Sequence, residues 1–291
     1  MVIAVASGKG GTGKTTISTN LAAVLADAGQ QTQYIDCDAE EPNGHIFLKP
    51  NIEFTENVTV GVPQVDLAKC TGCDKCSQLC QYNAIVSMKG NVLVFENLCH
   101  SCGGCMAVCP TGAIVEIQRK IGTAQFGKSN ELLFGHGKLD IGNIQTVSLI
   151  RHIKKKVQKN IINILDAPPG TSCPAVATIR DSDFVLLVTE PTPFGLNDLI
   201  LAVDMVREFK IPFAVVINRS DIGDDAVVRY CRKENIELLL QIPNDRKIAE
   251  NYSRGVMITQ AMPEYKEKFL KLYEAIIKLK GSYEGNSCNK R

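Results

Sequence analysis

The chain has 291 residues, a net charge of +1, no tryptophan and twelve cysteines. That length allows one large α/β domain, or one of ordinary size carrying a small module. The charge gives no argument for nucleic acid or an anionic membrane, and no apolar run approaches the length that spans a bilayer. The amino-terminal stretch lacks the pattern of a signal peptide, so the protein is expected in the cytoplasm, where so many cysteines point to metal or redox chemistry rather than disulfides.

Val2 to Ala6 reads as a short buried strand, and a helix opens near Lys14. Between them Gly8, Gly10, Gly11, Thr12 and Gly13 complete the P-loop pattern G-x-x-x-x-G-K-[ST], ending on Lys14 and Thr15. Glycines at this spacing let consecutive backbone N–H groups point into one hollow, an anion nest at a helix N-terminus. The pattern assigns Lys14 to the β- and γ-phosphates and expects the Thr15 hydroxyl to ligate Mg²⁺. Thr12 and Thr16 flank these residues and count with the nucleotide site.

Lys9 lies inside the loop, in Lys9-Gly-Gly-Thr-Gly-Lys14-Thr. This resembles the deviant Walker A of the MinD/ParA/Mrp/nitrogenase-iron-protein class. The resemblance implies that Lys9 acts in trans on ATP across a sandwich dimer, whether a homodimer or a heterodimer with a paralogue.

A helix over 15–28 and a strand over 33–36 follow, ending in Asp36-Cys-Asp-Ala-Glu-Glu-Pro-Asn43. A carboxylate at the C-terminal end of a parallel strand beside a P-loop is where Mg²⁺ and the attacking water sit. The resemblance makes this switch I, with Asp38 orienting the water and Asp36 in support; a helix N-cap is the plainer role for Asp38.

The composition then changes. Eight of the twelve cysteines form Cys70-x2-Cys73-x2-Cys76-x3-Cys80 and Cys99-x2-Cys102-x2-Cys105-x3-Cys109-Pro110. The two runs are an internal repeat offset by 29 positions, and Ala84-Ile85 and Ala113-Ile114 repeat at the same offset. The spacing resembles the bacterial two-cluster ferredoxin. That resemblance implies two [4Fe–4S] clusters, the fourth cysteine of each run serving the other: Cys70, Cys73, Cys76 and Cys109 for one, Cys99, Cys102, Cys105 and Cys80 for the second. Zinc is the rival for paired C-x2-C, but four cysteines in one run, repeated, suit it poorly. Gln81 stands where the pattern expects a proline after Cys80.

Residues 119–143 read as a glycine-rich return to the main domain, with His136 in a turn, and a helix is expected over 145–158. A strand over 160–165 closes on Asp166-Ala-Pro-Pro-Gly170, the Walker B pattern, in which Asp166 holds Mg²⁺ through a water. By resemblance, an N–H near Gly170 senses the γ-phosphate. Cys173 matches the spacing of an interfacial cluster cysteine in the nitrogenase iron protein, but it lacks that protein's second cysteine and reads as a packing residue. Cys231 and Cys288 have no partner at ligand spacing. Strands over 184–189 and 213–218 follow; Asn218 matches the family's adenine-reading asparagine, Arg219 is placed against the base, and Pro243 opens a base-wrapping loop. The last helix, over 263–280, carries an apolar face read as core rather than membrane anchor.

The expected fold is therefore α/β, a mostly parallel sheet with helices on both faces, formed by residues 1–60 and 119–291, with an α+β ferredoxin-like module over 61–118. The implied activity is ATP hydrolysis, stimulated by a partner, that gates electron transfer through two clusters to a redox or iron–sulfur protein. Mrp-type cluster assembly or delivery is the alternative, and a MinD/ParA-like spatial organiser the third. The cofactors are ATP or ADP, Mg²⁺ and two [4Fe–4S] clusters; neither nucleic acid nor stable membrane insertion is expected.

Overall fold

A computed structural model describes the backbone of residues 1–88 and 91–288, and side chains through residue 283. The side chain of Cys288 therefore lies outside the described residues. The chain begins with β1 (Val2–Ala6), α1 (Lys14–Asp27), β2 (Thr32–Asp36) and α2 (Gly44–Leu48). β3 (Asn51–Val65) then runs outward, and the excursion beyond it holds α3 (Lys75–Leu79), β4 (Ile85–Met88), β5 (Asn91–Val94) and α4 (Gly104–Ala107). β6 (Ile114–Ser129) and β7 (Leu132–Leu139) bring the chain back. The second half alternates α5 (Thr146–Lys154), β8 (Ile162–Asp166), α6 (Cys173–Ile179), β9 (Phe184–Thr189), α7 (Pro193–Glu208), β10 (Phe213–Asn218), α8 (Ala226–Lys233) and β11 (Leu238–Ile242). α9 (Arg246–Ser253), α10 (Ile258–Ala261) and α11 (Glu264–Cys288) close it.

Nine strands form one sheet in the order β11-β10-β9-β1-β8-β2-β7-β6-β3. The pairings from β11 to β7 are parallel, and those of β7 with β6 and of β6 with β3 are antiparallel. Alternation sends successive side chains to opposite faces, and each face has its own core. Ala4, Ile35, Leu165, Leu187 and Val215 join Leu149, Ile153 and Val203 on one side. Ile3, Val5, Ile164, Phe184 and Val216 join Leu21, Leu25 and Phe269 on the other. The apolar face of α11 is core: Tyr265, Phe269, Leu272 and Ile276 are all buried there. Among the described residues no helix is long and apolar enough to cross a membrane.

The sequence expectation differs most over 51–65 and 119–143. The first is β3 and most of the second is β6 and β7, and β3 pairs with β6 from Asn51↔Lys128 to Val65↔Ile114. Their glycines made 119–143 look like a linker, but they mark close backbone approach. A Cβ on Gly127 would strike the Asn51 carbonyl across the ribbon. The β3–β6 ribbon thus projects from the sheet and carries residues 66–113 at its far end. That excursion has a very small core of its own, in which Cys76 and Ile85 are buried against Ile114 of β6. The expected 61–118 segment begins and ends within the ribbon.

Candidate functional site

β1 ends in the P-loop at the C-terminal edge of the parallel strands, where a doubly wound sheet opens its crevice. Gly13 has φ +91°, and a Cβ there would collide with the Asn218 side chain. The loop therefore reverses into α1 through a conformation that glycine adopts without strain. Asn218 at the end of β10 closes it from the far side, Nδ2 donating to the Thr12 carbonyl at 2.9 Å. The Thr12 hydroxyl is buried with no hydrogen-bond partner. In front lies a cleft of about 320 Å³.

Lys14 is buried, and its Nζ lies 2.6 Å from Asp166 Oδ1. Burial alone would lower its pKa, but Asp166, Asp36 and Asp38 outweigh burial and hold it above the ordinary value. Asp36, fully buried between β8 and β7, is pushed up to about 7 by burial and then by Asp166. Its carboxylate accepts from the N–H of Asp38 (3.0 Å), Asn43 (3.1 Å) and Gly44 (2.9 Å), pinning both ends of the loop between β2 and α2. Asp38 lines the cleft and is raised to about 6, by burial against the opposing pull of Lys14. Three carboxylates thus face one ammonium, an arrangement a divalent cation would balance. The Thr15 hydroxyl is 3.5 Å from Lys14 Nζ, within reach of the same place.

Tyr34 was not singled out in the sequence, because it reads as one residue of a buried strand. Its hydroxyl donates to Asp166 Oδ2 at 2.9 Å, so both oxygens of that carboxylate have partners. Burial and Asp166 raise the Tyr34 pKa well above its ordinary value, so it stays a donor. Glu190 was also missed. It follows β9 and binds Lys9 Nζ at 2.5 Å and Arg219 at 3.2 Å. Lys9 and Arg219 line the cleft, yet in this single chain both side chains are directed to Glu190. The Gly170 N–H donates to the Ser7 carbonyl at 2.9 Å, so the amide expected to sense the γ-phosphate already has a partner. Gly10, Gly11, Thr16 and Pro243 line the cleft, while Gly8 packs against Asp198 behind the loop. Opposite the P-loop, Ile248, Ala249 and Tyr252 of α9 form an apolar wall that the sequence reading did not assign.

The eight cysteines of the excursion fall around two separate cavities. Cys70, Cys73, Cys76 and Cys109 line one; Cys80, Cys99, Cys102 and Cys105 line the other. Among the described residues no three or more His, Cys, Asp or Glu converge tightly enough to hold a single metal ion. Backbone amides aim at the sulfurs: Ala113 N–H donates to Cys109 Sγ at 3.3 Å and Ser101 N–H to Cys99 Sγ at 3.4 Å. Burial works to raise the Cys80 pKa, but the amides of Tyr82, Ala84, Ile85 and Asn83 together bring it below the ordinary thiol value. Cys109 behaves alike through Thr111, Ala113 and Ile114. His100 stacks on Tyr82 at the rim of the second cavity, with ring centroids 3.6 Å apart.

The remaining cysteines divide. Cys37 and Cys231 are buried, and burial raises their pKa to about 12 and about 11. Cys173 is exposed at the start of α6, not packed as expected. His136 sits within β7 rather than a turn and is lowered to about 4, by burial and by the nearby His45 and Lys138.

Comparison with known proteins fits this geometry. Residues 3–258 match the family described as the CobQ/CobB/MinD/ParA nucleotide binding domain. An uncharacterised protein of Methanocaldococcus jannaschii is 32% identical over 263 residues, covering 88% of this chain and 90% of that one. An iron-sulfur cluster carrier protein of Pyrococcus horikoshii is 25% identical over 304 residues, covering 96% and 88%. In fold, the chain is similar to the septum site-determining protein MinD of Pyrococcus horikoshii, solved with Mg-ADP: TM-score 0.60, 19% identity, 97% and 98% covered.

Proposed function

From the premise that the chain belongs to the CobQ/CobB/MinD/ParA nucleotide-binding family and is one of its P-loop ATPases, we propose that it is an iron–sulfur ATPase in which nucleotide turnover is coupled to electron transfer through two [4Fe–4S] clusters. The observation that carries this reading is the crossed partition of the eight cysteines: the fourth of each run lines the cavity of the other. Tetrathiolate donor sets, amide-to-sulfur hydrogen bonds and a very small core support the same reading. A module with little apolar area to bury needs an inorganic staple. Residues 66–113 are the ferredoxin-like insert; Cys70, Cys73, Cys76 and Cys109 would hold one cluster, and Cys80, Cys99, Cys102 and Cys105 the other. When bound, each supplies a one-electron redox centre.

On the nucleotide side, the P-loop amides and Lys14 would take the phosphates, and Thr15 and Asp166 would hold Mg²⁺. Asp38 orients the attacking water, and Asp36 holds its loop in place. Asn218, Arg219 and the loop at Pro243 face the base, with Ile248 and Tyr252 as its apolar wall. Lys9 acts across a dimer, which requires its release from Glu190. A second reading, cluster assembly or delivery, is favoured by the carrier-protein name borne by relatives that align with nearly the whole chain.

Iron and sulfide analysis of anaerobically purified protein tests the proposal. About eight of each per chain are expected. The Cys80→Ala variant should lose the same EPR signal as Cys102→Ala, and a different one from Cys73→Ala. Zinc in place of iron, or Cys80→Ala matching Cys73→Ala, would contradict it.

A further inference from the structure

Two consecutive residues at the start of α5 touch the two functional regions at once. The Gln145 side chain, 6% exposed, donates through Nε2 to the Cys99 carbonyl at 2.6 Å and to Ser101 Oγ at 3.3 Å. Its Oε1 accepts from Ser148 at 2.8 Å, which fixes the amide's orientation. Thr146, also 6% exposed, donates from Oγ1 to Glu40 Oε1 at 3.0 Å. Glu40 lies in the loop that Asp36 pins and Asp38 occupies. One turn of helix therefore grips a cysteine loop with one side chain and the nucleotide-facing loop with the next.

The surroundings leave little slack. The Ala39 carbonyl accepts from Leu139 N–H at 2.8 Å, tying the same loop to the end of β7. Ala39, Ala84, Cys99 and Leu149 belong to one packed core, and close-packed interiors transmit displacement rather than absorb it. Cys70, Cys73 and Cys76 are placed differently. Among the described residues, the hydrogen bonds of residues 66–76 stay within the excursion.

We infer that Gln145 and Thr146 are positioning residues that couple the loop bearing Asp38 to the cavity of Cys80, Cys99, Cys102 and Cys105, making that cavity the nucleotide-responsive one and the Cys70, Cys73, Cys76 and Cys109 cavity the remote one. The inference rests on the reading of these cavities as cluster sites. It deepens that reading by ordering the two. A shift of Glu40 pulls on Thr146, and the rigid first turn of α5 carries it to the Cys99 carbonyl. The cavity whose cysteine loop carries the direct bonds responds, and the other does not.

Hydrogen–deuterium exchange of the anaerobically purified full chain, with and without Mg²⁺ and a non-hydrolysable ATP analogue, tests this. Nucleotide should change exchange over 38–44 and, by about fivefold, over 96–104, the effect of moving local opening by one buried hydrogen bond. Residues 66–76 should stay unchanged. Thr146→Val should keep the response of 38–44 and lose that of 96–104, and Thr146→Ser should restore it. Glu40→Ala breaks the same bond from an exposed residue and should reproduce the loss if Thr146→Val does not fold. A full response at 96–104 in Thr146→Val or in Glu40→Ala would overturn the inference. So would a silent 96–104 in the wild type with nucleotide bound, or an equal response at 66–76. Iron and sulfide content of the same sample separates the two claims. Full content with a silent loop contradicts the coupling alone; a responsive loop without iron contradicts the cluster reading alone.

Discussion

Around Lys14, charge decides the chemistry. One buried ammonium faces Asp166, Asp36 and Asp38, and two of these carboxylates are raised, to about 7 and about 6. Lys14→Ala should lower the hydrolysis rate by at least about 10²-fold, the usual loss on removing a preorganised charge donor; steady-state phosphate release checks it. On the proposed reading Asp38 orients the attacking water and must be ionised to do so, so kcat/KM should fall on the acid side from about pH 6, about tenfold per unit. The same shift has a stability side. A carboxyl raised on folding stabilises fully below its ordinary 3.8, and Asp36 loses that contribution as pH rises to about 7. Mg-ADP should therefore raise the melting temperature more at pH 7.5, where the carboxylates are free to balance the cation, than at pH 5.5. An equal rise at both values would contradict this. Tyr34→Phe leaves one buried oxygen of Asp166 without its donor and should cost about 1–3 kcal/mol, read by urea unfolding. Lys14 and Asp166 were legible in the sequence because P-loop and Walker B patterns have fixed spacing, and Asp36 and Asp38 because carboxylates closing a strand beside a P-loop resemble switch I. Tyr34 and Glu190 were not, since each acts on a residue more than a hundred positions away.

At the scale of elements, short runs rich in apolar residues gave away β1, β2, β8, β9 and β10, because a strand buried on both faces carries few polar residues, here Thr32, Gln33 and Asn163 within β2 and β8. The β3–β6–β7 ribbon escaped notice. Residues 51–55 of its edge strand β3 are exposed, so no core face marks them, and its glycines mark close strand contact rather than turns. The cysteine runs were plain because ligand spacing survives without any hydrophobic pattern; their two cavities required the fold. The α5 bridge was invisible, since a glutamine and a threonine at a helix start carry no motif. α11 was readable as core from its apolar spacing, and Phe269→Ala, at a fully buried position, should cost about 3–5 kcal/mol in urea unfolding.

The whole molecule joins a nucleotide crevice to a cysteine-rich tip through a two-stranded ribbon and one short helix. On the proposed reading, nucleotide binding draws Lys9 from Glu190, shifts the loop at Asp38, and reaches the Cys99 loop through Thr146 and Gln145. A conformational change in the nucleotide switches is then a change in the surroundings of a redox centre, which is what coupling requires. The most direct test is an anaerobic, EPR-monitored reductive titration with and without Mg-ATP, run beside Lys14→Ala. The account predicts that Mg-ATP moves one cluster potential by about 59 mV or more, a tenfold change in a one-electron equilibrium, in the wild type and not in the variant. Two clusters whose potentials stay the same with bound nucleotide would contradict it.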